Sequence, residues 1–545
     1  MSDRQVELWV FVALLGVVLG LAFYAARWRR PATFHTLEEW GVGGRAFGNW
    51  VTWFLIGGSS YTAYTFVAVP SLVYGAGAIG FFALPFALIT APLMFLVSPR
   101  GWSVSHAHGF VTSAEFARAR FGSRTVGAIV AVTGILATMP YIAVQLIALQ
   151  GVFKVIGIAG EWPLLVALGL VSFTTFRSGL RAPALLSIAK DVLLVWIVIS
   201  VILVVAMSGG WGSAFRAADA RFTADASPVS GLTLHPAGYL SYLTLAIGSA
   251  LSIFAYPHAL TAVLAARDRA TVKRNAGALP VYTAALGLMG MLGIFAIAEG
   301  VIPVGGDLNT VTPKVFHELF PAWSAGIAYA TLAVSALIPA AVMSISAANL
   351  FTRSLWVDFF RPRASAREEA RVAQWASLVV KLGAVGVIVL LDPTFSVEFQ
   401  LIGGVIILQT LPAVFLGLMT GWFHRWALVA GTVVGLAVGL VMLYQIPQLS
   451  LTGSVIKPHF GGSTYPLAFL GIPSRAGVYV GLVALLVNLV VVVVGTVVLR
   501  LLRAPANVDV TSPGDYHADA DDPSLDRLDF LLDGGERKTG AHALR

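Results

Sequence analysis

The sequence predicts an all-α integral membrane protein of about 13 transmembrane helices, two of them interrupted partway across the bilayer. Three observations carry that reading. The chain of 545 residues is 57% hydrophobic and only 11% charged, against roughly 25% charged in soluble domains. Apolar runs of about 18 or more residues, each long enough to cross hydrocarbon, recur from residue 8 to residue 502. Two of those runs, 50–77 and the one around 245–258, carry Gly-Gly-Ser-Ser and Pro-His where a plain anchor carries Leu or Val. A helix opened in mid-membrane exposes backbone dipoles that lipid cannot satisfy, so such a break persists only beside protein, water or an ion.

Taken in order, the spans lie near 7–26, 50–75, 78–99, 125–151, 162–177, 182–207, 239–265, 277–300, 323–351, 372–391, 398–422, 425–446 and 477–502. The first run is followed by Arg27, Arg29 and Arg30 with no small-residue cleavage site, which reads as a retained span rather than a removed signal. The loops alternate in charge. One set holds Arg27, Arg29, Arg30 and Arg45, then Arg100, Arg118, Arg120 and Arg124, then Arg177 and Arg181. It continues with Arg267, Arg269, Lys273 and Arg274, then Arg353 to Arg371, and finally Arg425, Arg500 and Arg503. The other set is sparse in cations, so the rich set is read as cytoplasmic, with the N-terminus outside and the C-terminus inside a bacterial-type inner membrane. The net charge of +8 therefore reads as topology and not as a nucleic-acid surface. There is no cysteine, which excludes disulfides, thiolate metal sites and a cysteine nucleophile.

Thr112 and Glu115 open a short helix as a capping box. The segment 504–545, polar and rich in Asp and Gly, is expected to be a disordered cytoplasmic tail apart from a short helix near 525–532. The interrupted runs stand five spans apart. Five is odd, so a second copy of a five-helix unit would enter the membrane from the opposite side, the arrangement that surrounds a secondary transporter's binding site.

At these residues the sequence resembles the sodium:solute symporter family. The resemblance is carried by GGRAFGNWVTWFLIGGSS at 43–60, VTSAEFARARFGSR at 111–124, GLRAPALLSIAKD at 179–191, FAYPHAL at 254–260 and AAVMSISAANLFTRSLW at 340–356. It implies a leucine-transporter-type inverted repeat within a transporter domain, 1–503. An extra helix at 7–26 precedes the first repeat at 50–207 and the inverted repeat at 239–422; two extra helices occupy 425–502. The later pieces, with LQTLPAVFLGLMTGWFHRWAL at 408–428, are most similar to the monocarboxylate permease branch, whose substrates are acids such as lactate, pyruvate, acetate and propionate.

The resemblance also implies a Na+ site made by the carbonyls of Gly58, Tyr61 and Ala341 and by the hydroxyl of Ser344 and of the residue after it. Here that residue is Ile345, and where the family often has an Asp this chain has Ser187. Three residues later stands Lys190, beside Asp191, within an apolar run. A buried ammonium costs roughly 2.5–3.5 kcal/mol on insertion scales, so it is paired or functional. Lys190 is expected either to fill the place of Na+ as a proton carrier or to receive a substrate carboxylate. Neighbours on a helix point about 100° apart, so pairing with Asp191 itself is not expected. His258 is a second candidate for coupling, although a histidine after a break is expected to satisfy freed carbonyls. Lys381 is expected to pack or snorkel. For a small carboxylate, Gly57, Ser59, Ser60 and Ser252 offer half-helix ends and hydroxyls. Tyr61, Phe66, Phe254 and Tyr256 would close around its apolar end.

The expected function is cation-coupled symport of small monocarboxylates by alternating access, with Na+ from the family and H+ as the rival. Spans two, three, seven and eight would rock against the rest. The expected partners are a small organic acid and the bilayer, without nucleic acid or any cofactor beyond the coupling ion. The alternatives are symport of pantothenate, proline or a sugar, and a membrane sensor on a transporter fold. A membrane enzyme is disfavoured, because neither HExxH nor GxSxG occurs.

Overall fold

The computed structural model describes residues 2–25, 27–28, 36–158, 160, 162–224, 231–391, 395–449 and 455–519. Within them eleven helices are long and apolar enough to cross a membrane. Two further stretches at expected spans fall short of that length: Trp162–Ser178 has 17 residues, and the stretch between Asn49 and Ala76 is divided.

Most of the long helices bury one stripe and leave the other exposed. In Arg181–Met207, Ala184, Ser187, Asp191, Leu194, Ile197, Val201 and Val205 recur at three- and four-residue steps and are buried, while Val192, Val195, Ile199 and Leu203 are exposed. An apolar outer face of that extent is stable against hydrocarbon and a liability in water. The Ala322–Phe351 helix is buried almost throughout and packs against helices on several sides, which is why its apolar residues run all round it.

Two stretches are broken. The first runs as Asn49–Ser60, leaves the helix at Tyr61 (φ −102, ψ 86) and resumes through a π-turn, Tyr64–Ala68, into Val69–Ala76. The second runs as Tyr239–Ala255, turns at Tyr256 (φ −64, ψ 129), and resumes as Pro257–Leu264. The breaks therefore fall beside the residues that suggested them. The helix continues through Gly57 and Gly58, whose missing side chains admit neighbours: a Cβ on Gly57 would strike the Tyr282 ring, and one on Gly58 would lie 2.5 Å from Ser187 Oγ. The expectation of a break at Gly248 is corrected in the same way. That glycine lies inside the Tyr239–Ala255 helix and faces the Tyr479 ring.

The freed backbone groups at the first break are met by side chains from distant helices. Gln145 accepts from the Ala63 amide at 3.1 Å and donates to Thr62 Oγ1 at 3.1 Å. Lys190 Nζ donates to the Tyr61 carbonyl at 3.0 Å. At the second break Pro257 brings no amide, so one donor is absent from the start, and the Tyr256 hydroxyl donates to the Gln400 carbonyl at 3.1 Å.

The capping box forms as expected, with the Thr112 side chain on the Glu115 amide and Glu115 returning to the Thr112 amide. The sequence pattern did not suggest the Gly210–Ala224 helix or two small hairpins, Gln448–Leu449 with Val455–Lys457 and Thr464–Pro466 with Gly477–Tyr479. The tail needs correction. Residues 504–519 lie along the arginine-rich face, where Asp515, Tyr516 and Ala518 are buried, because that face supplies the cations and bond donors they lack in isolation. The helix expected near 525–532 lies outside the described residues.

Candidate functional site

Lys190 sits one helical face away from lipid, on the buried stripe of Arg181–Met207, with 0% of its surface exposed. Its ammonium lies between the Tyr61 carbonyl, 3.0 Å away, and Asp191 Oδ1, 3.3 Å away. The expectation that adjacent residues do not pair is thus overturned: the four-carbon lysine stem bends back across the turn to its neighbour's carboxylate. The other Asp191 oxygen accepts a hydrogen bond from the Tyr282 hydroxyl. Tyr282 stacks on the Tyr61 ring at a centroid distance of 5.0 Å and lies tilted against Trp53 at 4.8 Å, and the Tyr61 hydroxyl meets Thr283 Oγ1 at 3.2 Å. One polar chain therefore joins the first break, the Arg181–Met207 helix and the start of the Pro280–Ala298 helix. Gly58 is part of it, since a Cβ there would lie 3.9 Å from the ammonium.

The hydroxyls expected around an ion or a carboxylate are mostly engaged with their own helices. Ser59 donates to the Ile56 carbonyl at 3.0 Å, Ser252 to Ser249 at 2.9 Å, and Ser344 to Ala341 at 2.9 Å. This is the default bond of a membrane serine, and it also occupies the carbonyl Ala341 was expected to lend. Ile345 is buried in an apolar cluster with Trp40 and Leu264.

Ser60 and Tyr61 line a cavity of about 20 Å³, together with Tyr64, Thr65, Phe86 and Ile253. It has room for about one water, so a carboxylic acid enters only if its walls move apart. The hydroxyls of Tyr64 and Thr65 are buried there without a partner among the described residues. Sequence reasoning passed over both; the signal was the hydroxyl-rich run from Ser59 to Thr65. Phe66 is fully buried in the main core. Phe254 belongs elsewhere: it packs on Phe415 at 5.6 Å and lines a separate cavity nearer the arginine-rich face.

His258 follows the second break, wholly buried, its ring 5.4 Å from those of Tyr141 and Tyr256. Neither ring nitrogen has a hydrogen-bond partner among the described residues, so it does not satisfy the freed carbonyls as expected. The side chain of Gln400, whose backbone carbonyl accepts from Tyr256, is likewise buried, with neither polar atom bonded among the described residues. Lys381 is buried rather than snorkelled, with Nζ 3.4 Å from Thr175 Oγ1.

Comparison with known proteins accounts for this architecture. The model of the sodium:solute symporter family matches residues 40–439. A monocarboxylate transport permease protein of Rhizobium johnstonii is 43% identical over 500 residues, covering 92% of this chain and 97% of its own. The symporter YodF of Bacillus subtilis is 32% identical over 453 residues, covering 81% of this chain and 88% of its own. Among solved structures, a Na+-coupled sialic acid symporter in a substrate-bound outward-open state aligns with a TM-score of 0.71 at 15% identity, covering 92% of this chain and 98% of its own.

Proposed function

The chain belongs to the sodium:solute symporter family, and from that premise we propose that it takes up small monocarboxylates in symport with a cation. The observation that carries the substrate class is the 43% identity, across nearly the whole length of both chains, with a monocarboxylate transport permease. The proposed architecture is 13 spans in a transporter domain, 1–503, with the inverted five-helix repeats at 50–207 and 239–422. The N-terminus lies outside and the C-terminus inside the cell membrane. Transport proceeds by rocking of spans two, three, seven and eight about the paired breaks.

The carboxylate is received where two buried hydroxyls, Tyr64 and Thr65, have no partner among the described residues, at the N-terminal start of the resumed helix and beside Ser60. Its short apolar body faces Phe86 and Ile253. Thr65→Val keeps the shape and removes the hydroxyl. Because that oxygen makes no hydrogen bond among the described residues, folding is expected to be unaffected while the uptake KM rises about tenfold, the equivalent of one hydrogen bond of ~1.4 kcal/mol. An unchanged KM would remove Thr65 from the site.

Sodium is the ion the family name carries, yet one observation favours the proton. The carbonyl freed at Tyr61 is already met by the Lys190 ammonium, and Ile345 brings no side-chain hydroxyl to a sodium ion, which takes hard oxygen ligands. We therefore place Lys190 in the position of the coupling cation, taking a proton outside and releasing it inside. Its charge is balanced by Asp191, which argues against its being the receptor of the carboxylate. Purified protein in liposomes, given labelled acetate, propionate, lactate or pyruvate with a Na+ gradient or a pH gradient imposed separately, tests both halves. Uphill uptake driven by the pH gradient alone is expected. Accumulation that follows only the Na+ gradient would restore a sodium site, and uptake of none of these acids would refute the substrate class.

A further inference from the structure

The chain's own residues 509–519 lie across the arginine-rich face and hold together two groups of helices that the transport cycle must separate. On one side they bind elements of the proposed rocking bundle. Ser103 Oγ, on the Ala83–His108 helix, donates to the Ala518 carbonyl at 2.6 Å, and His108 Nε2 lies 2.7 Å from Asp515 Oδ2, both side chains buried. Arg269, at the start of the Arg269–Ala278 helix, gives its amide to Asp519 at 3.1 Å and its guanidinium to the His517 carbonyl at 2.8 Å. On the other side they bind elements outside that bundle. Arg120 pairs with Asp509 at 2.7 Å and bonds Thr511 at 3.1 Å, while the Val510 amide donates to the Ala119 carbonyl at 3.0 Å.

Between the two sides sits Tyr516, only 3% exposed. Its ring packs with Val97, Phe116 and Leu418, three residues that also line the cavity of about 50 Å³ containing Phe254 and Phe415. The guanidiniums of Arg100 and Arg120 stand 5.3 and 5.2 Å from the ring centroid, one from each side of the seam. At that distance a cation is held by the face of an aromatic ring.

We propose that residues 509–519 are an internal strap that holds the cytoplasmic exit shut, with Tyr516 as the plug beneath the Phe254–Phe415 cavity and Asp515 and Arg120 as its two principal anchors. The assignment of that face to the cytoplasm, and of the two helix groups to moving and fixed halves, rests on the function proposed above. The strap must leave for the exit to open, so its undocking is a step of the cycle and a point at which a cytoplasmic factor can set the transport rate. A segment held by polar contacts and one buried ring to two bodies that part from one another adds its docking free energy to the closed state and nothing to the open one.

The native chain has no cysteine, so introduced thiols report without background. A full-length protein carrying Ser98→Cys, in the wall of that cavity, is labelled with a membrane-impermeant maleimide applied at the arginine-rich face. Ending the chain after Val508, or the single change Tyr516→Ala, is expected to raise the labelling rate and the maximal uptake rate roughly tenfold, as when a state populated at a few per cent is released. In a second protein, His108→Cys with Asp515→Cys and Arg120→Cys with Asp509→Cys, each pair joined by a short reducible cross-linker so that both sides are fixed, are expected to stop uptake until reductant is added. Labelling needs no substrate, so it reads the strap even if the monocarboxylate assignment fails. Unchanged labelling in both strap variants, or full transport with both cross-links in place, would overturn the proposal.

Discussion

Lys190→Gln is expected to cut accumulation driven by a pH gradient by about two orders of magnitude while leaving substrate exchange across the membrane in place. Glutamine can still donate to the Tyr61 carbonyl that Lys190 Nζ now meets at 3.0 Å, so the break keeps a partner, although Asp191 loses its ammonium and the protein is expected to melt lower for it. What glutamine lacks is a charge that can be gained and lost. The lost charge-assisted bond corresponds to about 1.5–3 kcal/mol, which is about 10- to 150-fold in the stability of the cation-loaded form. Uptake against a gradient should therefore fall by about two orders of magnitude, whereas counterflow, which requires no net proton movement, should fall by much less. The measurement is labelled substrate in liposomes under each regime. Retention of pH-driven accumulation by Lys190→Gln would take the coupling role away from this residue.

The case for Lys190 began in the sequence, and its companions show where sequence reasoning stops. A lysine deep in an apolar run is legible because its insertion cost demands a reason. Its partner was not, because a rule about helix geometry fixes where Cβ atoms point and not where a flexible four-carbon stem ends; Asp191 is within 3.3 Å after all. The two interrupted helices were legible from Gly-Gly-Ser-Ser and Pro-His, yet the backbone leaves the helix at Tyr61 and Tyr256. The place of departure depends on which distant side chains can satisfy the opened groups, and Gln145 lies 82 residues from the amide it receives. The glycines did a different job, admitting Tyr282 and Ser187 against the first half-helix. Ser59, Ser252 and Ser344 bond their own backbones, whereas the hydroxyls of Tyr64 and Thr65 have no partner among the described residues; residue type alone does not separate these cases. The tail read as disordered because its polarity offers no core of its own. Residues 509–519 are ordered by Arg120, Arg269 and His108, none of which is near them in sequence.

Asp191→Asn is expected to damage the protein more than replacing both Lys190 and Asp191 with apolar residues. In the native chain the carboxylate has two duties: one oxygen stands 3.3 Å from the ammonium and the other accepts the Tyr282 hydroxyl. Asparagine can still meet the tyrosine, but it leaves Lys190 charged and wholly buried with only a carbonyl to face. Breaking one partner of a buried pair costs about 3–5 kcal/mol, whereas removing both and filling the volume is often neutral. The melting midpoint in detergent should therefore fall steeply for Asp191→Asn and recover in the double variant Lys190→Met with Asp191→Leu. Transport should be lost in both. That combination separates the pair's place in the fold from its place in the cycle, because a purely structural pair would let the restored double variant transport again. Equal melting midpoints for Asp191→Asn and the native chain would mean that the ammonium is not held as a charge at this site, and the proton-carrier reading of Lys190 would lose its electrostatic basis.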